Sequence, residues 1–269
     1  MSYDEQHGSM RWLQTLSYVD AHLHLTDPAY AERIESVIED AARNKVTRLL
    51  ANAVDYETSV QTISLAKQYE TTVLAAIGLH PWTVVSQSAF DLAKFERLLD
   101  ENRAYVKAIG EIGLDGKYTQ DKEKRNRQKE VFQFFLRLAE KRGLPAVVHS
   151  RLAVDEVLDE LSRFNLPRVL LHWYDGPIEK LKLIKDRGYL ISIGPSLLYS
   201  RRIVEIARNA DLSTVLTQTD GPVNYRGPFE GKMTQPSFVI DVVRKLAEIR
   251  SEEIKKVRDA VWNNFQRLI

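Results

Sequence analysis

Eight short apolar segments alternate with longer amphipathic segments along the 269 residues of this chain, and this alternation restricts the possible folds more than any other feature. The apolar segments are mostly continuous in hydrophobicity, which is typical of parallel strands that are buried on both faces. The predicted strands lie at residues 17–25, 46–53, 73–80, 105–115, 145–151, 168–173, 188–194 and 214–220.

The segments between the strands show the spacing of amphipathic helices. Ile34, Val37 and Ile38, for example, fall on one face of a segment whose other face is charged. Each predicted strand is followed by a helix, and one more helix follows at the C-terminal end. The predicted helices lie at residues 29–44, 58–69, 90–99, 121–142, 154–164, 178–187, 200–210, 236–249 and 251–268.

Regular alternation of strands and helices implies a parallel sheet, and eight repeats in a chain of this length favour closure into a barrel. We therefore predict an α/β fold, a single-domain (β/α)8 barrel of the TIM type with an extra C-terminal helix. A doubly wound open sheet is the alternative. The barrel is predicted to span residues 17–269, and residues 1–16 are interpreted as an N-terminal extension whose Gly8-Ser9-Met10 is typical of vector-derived sequence.

Composition excludes several kinds of site. The chain has no cysteine, which excludes disulfide frameworks, thiolate zinc sites and cysteine nucleophiles. Its 38 basic and 37 acidic side chains nearly cancel, which argues against broad electrostatic binding of duplex DNA. Because we find neither an apolar window of about 18 residues nor a signal-peptide pattern, we expect a cytoplasmic protein without a membrane segment. The sequence gives no sign of an obligate protein partner.

Five of the six histidines fall at the C-terminal ends of predicted strands, and only His7 lies elsewhere, in the N-terminal extension. Two carboxylates join them, since Glu111 lies inside the fourth apolar segment and Asp220 ends the eighth. The C-terminal strand ends of a barrel meet at one mouth, so we expect these side chains to converge there. The five histidines are His22, His24, His80, His149 and His172.

These residue types favour a metal site. His22 and His24 are two residues apart on a strand, so that both side chains point to the same side. Imidazoles and carboxylates without thiolates suit zinc, manganese, iron or magnesium. A buried, unpaired Glu111 would be costly, and a metal or a charged partner removes that cost. Two ions about 3.5–4 Å apart, bridged by a carboxylate, would use about six such ligands. The alternatives are hydrogen-bonded histidines of the core or rim and a turn at Asp220.

Seven short motifs spread over the whole chain resemble those of the TatD family of metal-dependent hydrolases, in the amidohydrolase-like barrel superfamily. Individually several of them are weak, but together they follow the order and spacing of the family. The motifs are VDAHLHL at 19–25, IGLHP at 77–81, GEIGLD at 110–115, PAVVHSR at 145–151, LHWYDG at 171–176, TQTDGP at 217–222 and NFQRL at 264–268.

The resemblance implies one or two divalent ions, magnesium, manganese or zinc, held by two ligand sets that share Glu111. The first set is His22, His24, Glu111 and Asp220. The second set is Glu111, His149 and His172.

The resemblance also implies hydrolysis of phosphodiester bonds, with DNA or another phosphodiester as the substrate, because family members are mostly nucleases that act on DNA ends. The expected activity is a 3′-exonuclease on single-stranded or frayed ends. Asp220, Glu111 and His80 are the expected catalytic residues, with Asp220 accepting a proton from the attacking water. The residues expected to contact the substrate are His80, Arg151, Trp173 and Asp115.

The chain departs from the family pattern near the predicted mouth. Gln218 stands where the family usually has glutamate, Trp173-Tyr174 replaces Phe-Ser, and the loop at 227–236 differs. We expect the amide of Gln218 to orient a histidine and to leave it less basic than a carboxylate would. The departures keep all six metal ligands and bear on the identity of the substrate.

Two other functions are compatible with the same barrel. One is a metal-dependent ester or amide hydrolase such as an aminoacyl-tRNA deacylase, and the other is a binding protein without activity. Many amidohydrolases bridge their metals with a carbamylated lysine, whereas here Glu111 holds that place and Lys107 lies four residues earlier. This arrangement favours the phosphodiester branch.

Aromatic and basic residues on the strand-end loops have two interpretations. In the first interpretation the aromatic residues stack on bases and the basic residues bind phosphates. In the second, the aromatic residues pack at the rim of the barrel and the basic residues face solvent. The aromatic residues are Trp82, Trp173, Tyr174 and Tyr225. The basic residues are Arg151, Arg201, Arg202 and Arg226.

Overall fold

The computed structural model describes residues 17–87 and 89–269. The predicted extension at 1–16, with His7, lies outside the described residues. Eight parallel strands form one sheet in which strand order follows chain order, and they curve into a nearly closed (β/α)8 barrel. The barrel is confirmed, and the doubly wound alternative is wrong because its strand order would reverse direction. The strands are β1 Tyr18–Leu23, β2 Val46–Asn52, β3 Val73–Ile77, β4 Val106–Gly113, β5 Ala146–His149, β6 Val169–Leu171, β7 Leu190–Ile193 and β8 Val215–Thr217.

Ten α-helices surround the strands in the described part of the chain, and none of them is long and apolar enough to cross a bilayer. The last one is the predicted extra C-terminal helix. The helices are α1 Ile34–Arg43, α2 Tyr56–Gln68, α3 Pro81–Ser86, α4 Leu92–Glu101, α5 Lys122–Arg142, α6 Val154–Leu161, α7 Lys180–Asp186, α8 Arg201–Asn209, α9 Val239–Arg250 and α10 Ile254–Leu268.

Local sequence signals explain where these helices begin and end. The Asp55 side chain accepts a hydrogen bond from the Thr58 backbone N–H, and Thr58 bonds back to Asp55, which caps the start of α2. Gly143 takes the left-handed conformation with φ of 61° and ends α5 two residues before Pro145. Phe135 of α5 is fully buried and meets Phe95 of α4 edge to face at 5.1 Å, so the apolar face of α5 closes the core outside the barrel.

Hydrogen bonds across the seam join the last strand to the first. Thr217 Oγ1 donates to Val19 O at 2.8 Å within the strands. Beyond the end of β8, Asp220 N–H donates to His22 O at 2.8 Å, and His24 N–H donates to Gly221 O at 2.7 Å. The seam therefore closes most tightly at the mouth, beside the predicted metal ligands.

Several predicted boundaries differ from the structure. The segment predicted as one helix at 29–44 is a 3-10 helix at Pro28–Tyr30 followed by α1, and residues 236–249 likewise begin as a 3-10 helix, Pro236–Phe238. The six-residue helix α3 was not predicted. Strand ends are shorter than predicted because their polar residues turn toward the mouth instead of continuing the backbone ladder.

Candidate metal centre

Irregularities in two strands direct His22 and Glu111 into the mouth of the barrel. Between β4 and β5 the register passes from Ile109–Ala146 to Ile112–Val148, so β4 contains one extra residue around Glu111. β1 has an equivalent extra residue opposite β2 around His22. Such bulges redirect side chains and are common beside active sites.

The glycines of the GEIGLD motif allow this close packing around Glu111. A Cβ atom on Gly110 would lie 2.6 Å from Val147 Cβ. Gly113 has a φ of 144°, and a Cβ atom there would lie 2.1 Å from His149 O. Any larger residue at either position would push β4 away from β5, and Glu111 would move with it.

One oxygen of the buried Glu111 carboxylate belongs to a first group of ligand atoms. Glu111 Oε2 lies 3.2 Å from His22 Nε2 and 3.4 Å from His24 Nε2. Asp220 Oδ1 lies 3.1 Å from His22 Nε2 and 3.4 Å from His24 Nε2. The four side chains thus turn ligand atoms toward one point between β1, β4 and the end of β8.

The other oxygen of Glu111 faces a second group. Glu111 Oε1 lies 2.8 Å from His149 Nδ1, 2.8 Å from His172 Nε2 and 3.0 Å from His80 Nε2. His149 Nδ1 and His172 Nε2 are themselves 3.2 Å apart. Glu111 therefore stands between two groups of histidines, with one oxygen toward each.

The rings of His24 and His149 are held from outside the centre. His24 Nδ1–H donates to Asn52 O at 3.0 Å, which leaves Nε2 free to face Glu111 and Asp220. His149 Nε2 lies 2.7 Å from Asp115 Oδ2, so that its Nδ1 faces Glu111. A partner on the outer nitrogen is the usual way in which proteins orient histidine ligands.

His80 is oriented differently. The Trp82 backbone N–H donates to His80 Nδ1 at 3.1 Å, so the neutral ring carries its proton on Nε2, which points at Glu111 Oε1. Burial lowers the pKa of His80 and favours this neutral form. His80 can therefore donate a hydrogen bond into the centre, and its position after β3 at the start of α3 fixes the direction.

The carboxylates give the centre an electrostatic preference for positive charge. Burial opposes a charge on His22, but Glu111 and Asp220 outweigh it and raise the His22 pKa to about 9. Burial likewise opposes a charge on His149, and Asp115 with Glu111 raises its pKa to about 9.

Two further pKa values follow from the same close packing of histidines and acids. Burial, together with the neighbouring His22, lowers the pKa of His172 to about 4. Burial opposes the charge of Glu111, but the surrounding histidines hold the Glu111 pKa well below its ordinary value.

Three overlapping groups within the described residues bring at least three ligand atoms within 4.8 Å of one another. All six residues predicted as metal ligands occur in them, and His80 is added. Nitrogen and oxygen donors crowded at these distances suit divalent cations such as zinc, manganese or magnesium. The groups are His22, His24 and Glu111; His22, His172 and Asp220; and His80, Glu111 and His149.

Comparison with known proteins identifies the family of this chain. The family model "TatD related DNase" matches residues 19–269. The chain belongs to the TatD-related DNase family. A metal-dependent hydrolase of Methanocaldococcus jannaschii is 31% identical over 252 residues, 94% of this chain and 96% of that protein. The human deoxyribonuclease TATDN3 is 26% identical over 259 residues, 93% of each chain. The crystal structure of the Escherichia coli TatD homologue YjjV superposes with a TM-score of 0.87, at 28% identity, covering 94% of this chain and 97% of that one.

In this TatD-family chain the candidate metal centre opens into a cavity of about 1320 Å³ at the mouth of the barrel. Arg151 and Trp173, both predicted to contact the substrate, line the cavity beside His80. Arg151 is exposed and Trp173 is half-buried. Trp173 also has a φ of 40°, an unusual conformation for a large residue, which indicates that the surrounding structure holds it in place.

Asp115 lies behind the candidate metal centre and is not among the residues that line the cavity. Its side chain has no exposed surface, and its Oδ1 accepts hydrogen bonds from the Lys117 and Tyr118 backbone N–H groups at 2.7 and 3.1 Å. Its Oδ2 holds His149. The position gives Asp115 a role in orienting His149, and its contact with a substrate stays a prediction.

Gln218, the main departure from the TatD pattern, does not orient a histidine as expected. Gln218 Oε1 accepts hydrogen bonds from Trp173 N–H at 2.8 Å and from the Ser192 hydroxyl at 2.5 Å. The sequence expectation is wrong because the side chain turns toward β7 and β6. Gln218 and Ser192 together hold the backbone of Trp173, another departure from the family pattern.

The predicted aromatic residues divide by exposure. Tyr174 and Tyr225 are buried and donate to Pro177 O and Thr219 O, so they pack at the rim. Trp82 is 43% exposed and lines the cavity. Sequence reasoning missed Tyr118, which is 45% exposed, lines the same cavity and meets Trp82 edge to face at 5.8 Å. Its only sequence signal was its place in the loop after GEIGLD.

Proposed function

We propose that this protein is a divalent-metal-dependent phosphodiesterase, a deoxyribonuclease that removes nucleotides from the 3′ end of single-stranded or frayed DNA. The observation that carries the proposal is the position of Glu111, whose two oxygens face two different pairs of histidines, His22 with His24 and His149 with His172. A bridging carboxylate of this kind is typical of two-metal phosphoryl-transfer sites. Family membership and relatives named as deoxyribonucleases support the choice of DNA.

The donor set fits two divalent ions. His22, His24, Glu111 and Asp220 would hold one, and Glu111, His149 and His172 would hold the other. When bound, such ions supply an activated water and offset charge on phosphoryl oxygens. The crowding of imidazole nitrogens, with His22 Nε2 only 3.3 Å from His24 Nε2, supports a cation between them.

His80 and Asp220 have complementary roles toward the scissile phosphate. The Nε2–H of His80 would donate a hydrogen bond to a phosphoryl oxygen, because the Trp82 N–H fixes that tautomer. The Asp220 carboxylate faces His22 and His24, and these two imidazoles hold its pKa below the ordinary value although burial opposes this. Asp220 is thus ionised at neutral pH and would accept the proton released by water.

The cavity wall beside His80 suits the end of a nucleic acid. Arg151 is an exposed cation at the mouth, where it would bind a backbone phosphate. Trp82 and Tyr118 expose aromatic faces on which a terminal base could stack. Because these groups lie on the same side as His80, the phosphate and base of one nucleotide would bind there together.

Hydrolysis of an ester or amide is the second candidate function. Lys107 argues against a version of this site in which a carbamylated lysine bridges the metals. Lys107 Nζ donates to Ala104 O at 2.6 Å, near the start of β4 and away from the mouth. Glu111 alone occupies the bridging position. An acyl hydrolase on this barrel would therefore also depend on Glu111.

End-labelled DNA tests the proposal. We expect metal-reconstituted protein to shorten a 3′-extended single strand and to release mononucleotides, and chelation to stop the reaction. Glu111→Ala and Asp220→Ala should each reduce the rate by more than about 100-fold. A panel of acyl and lactone substrates serves as the comparison. Metal-loaded protein that cleaves these substrates and leaves DNA, RNA and small phosphodiesters intact would contradict the proposal.

A further inference from the structure

We propose that a basic groove along α8 binds the single-stranded tail of the substrate while its terminal phosphodiester lies in the metal centre. The inference rests on the proposed function and extends it to the path of the strand. The groove, called here the α8 groove, has a volume of about 450 Å³ and is lined by Tyr199, Arg201, Arg208 and Lys245 among others.

Charge on the α8 groove is predominantly positive and only partly neutralised. Glu205 is its one acidic lining residue, against three cations. Arg201 and Arg208 are exposed and form no ion pair with any residue that the structure describes. Lys245 Nζ forms an ion pair with Glu248 Oε1 at 2.7 Å. Two free guanidinium groups therefore remain to bind an anion, and guanidinium is well suited to phosphate.

Neighbouring surface lysines differ from these arginines. Lys182 and Lys185 on α7 are each paired with an acid, Asp186 and Asp211, at 2.5 Å. Their charges are satisfied locally and contribute little at a distance. Of these two neighbouring helices, α8 therefore carries the unpaired positive charge.

The α8 groove begins next to the mouth of the barrel. Helix α8 follows β7, and at its start Arg202 Nε donates to Asp175 O at 2.7 Å. Asp175 also lines the main cavity, so the two concave surfaces are neighbours. Arg201 and Arg208 are seven residues apart, about 10 Å along a helix. That distance lets the two guanidinium groups contact different phosphates of one strand.

An aromatic side chain completes the α8 groove. Tyr199 is 41% exposed at the end nearest the mouth, and its ring lies beside Gly227, where an added Cβ atom would come within 3.4 Å of it. Exposed aromatic residues beside basic grooves stack on the bases of single strands. Duplex DNA, whose bases are paired, would not use this contact.

The other side of the mouth repels a polyanion. Asp27, Asp55 and Glu57 line the cavity where it extends past β1 and β2. A strand that carries one negative charge per nucleotide would be repelled by the carboxylates of that wall, whereas the cations along α8 would attract it. A terminal nucleotide bound beside His80 would therefore have its tail leave over α8 and not along the acidic side, and this arrangement agrees with action at an end.

Paired charge-neutralising variants test the inference. We compare Arg201→Gln/Arg208→Gln with Lys45→Gln/Arg168→Gln, which removes two exposed cations just before β2 and β6 at the opposite end of the barrel. The ligand is a fluorescent, phosphorothioate-linked single strand of about 12 nucleotides, and anisotropy gives its Kd with metal-loaded protein. Thermal unfolding checks that both variants fold.

We expect the α8 variant to raise the Kd about tenfold near 50 mM salt and to reduce the slope of log Kd against log salt by about 1.4, or about 0.7 per lost phosphate contact. Its hydrolysis of bis-p-nitrophenyl phosphate, too small to reach α8, should be unchanged. The control variant should match the wild type in both assays.

The Kd tests the α8 groove and the hydrolysis of phosphodiesters tests the proposed function, so the failure of one can be told from the failure of the other. An unchanged Kd in the α8 variant, or an equal loss in the control variant, overturns the α8 groove while phosphodiester hydrolysis stands. A wild type that binds the strand through α8 and hydrolyses no phosphodiester rejects the proposed function and keeps the groove. A wild type that does not bind the strand at all overturns the groove.

Discussion

The carboxylate of Asp115 decides which nitrogen of His149 faces the metal centre. Asp115 Oδ2 lies 2.7 Å from His149 Nε2, and two backbone N–H groups fix the other oxygen. An amide in place of Oδ2 would present hydrogens to Nε2 and drive the ring proton to Nδ1, the nitrogen that faces Glu111.

Asp115→Asn should therefore weaken metal binding with little change in fold. We expect the affinity of the Glu111, His149 and His172 set to fall about 10- to 100-fold, measured by titration of zinc or manganese against a chromogenic chelator. Asp175→Asn, which removes a charge from the cavity wall, is the control and should bind as the wild type does. Equal affinity of Asp115→Asn and wild type would show that the tautomer of His149 does not depend on Asp115.

At this scale the sequence predicted the residue types of the centre and their meeting point, because both depend on strand ends and on ligand chemistry. It could not predict which residue forms the hydrogen bond that orients each histidine ring. The roles of Asp115, Asn52 and Gln218 follow from loop conformations and from bulges in β1 and β4, which leave no periodic signal. Tyr118 was missed for the same reason.

At the scale of elements, alternation and local caps were enough to predict eight strands and most helices. Helix α3 was not predicted because six residues are too few to show a 3.6-residue period, and because its N-cap is the site residue His80. The helices at 29–44 and 236–249 begin late because Pro28 and Pro236 each start a 3-10 turn.

Buried Glu160 on α6 fixes this helix to α5 and makes stability depend on pH. Its side chain is 2% exposed, and it accepts from Lys129 Nζ at 2.7 Å and from Gln133 Nε2 at 2.8 Å. Burial raises its pKa, but the bonds to Lys129 and Gln133 prevail and lower it. A lowered pKa means that the stabilisation is present above the unfolded value near 4.5 and is lost as the pH falls through the folded pKa.

Glu160→Gln should reduce the free energy of unfolding by about 1–2 kcal/mol at neutral pH, and the difference from wild type should shrink as the pH is lowered below the ordinary glutamate range. Urea unfolding at several pH values measures both. Glu156→Gln on the same helix, an exposed partner of Arg125, should cost less than about 1 kcal/mol. A difference that stays constant with pH would contradict the assignment to the Glu160 charge.

At the scale of the whole molecule, a barrel must hold its last strand in place, and the last motif of the chain contributes to this. Asn264 of α10 is 4% exposed, and its Nδ2 donates to Leu212 O and Val215 O, both at 2.8 Å, at the start of β8. Arg267 donates to Asn264 Oδ1 at 2.8 Å and also to Ser213 O. The NFQRL motif thus holds β8 against the C-terminal helix, at the end of the barrel opposite the metal centre.

Asn264→Ala should destabilise the barrel without affecting its chemistry. Two buried carbonyls would lose their donor at about 1–3 kcal/mol each, so we expect the free energy of unfolding to fall by about 2–4 kcal/mol in urea titrations. Asn209→Ala, which removes an exposed hydrogen bond to Glu205 O within α8, is the control and should lower the free energy of unfolding by less than about 1 kcal/mol. Metal content and turnover of the folded Asn264 variant should equal those of the wild type, because more than the length of β8 separates Asn264 from Asp220. An Asn264 variant of normal stability that loses its metal would instead place this motif in the chemistry of the mouth.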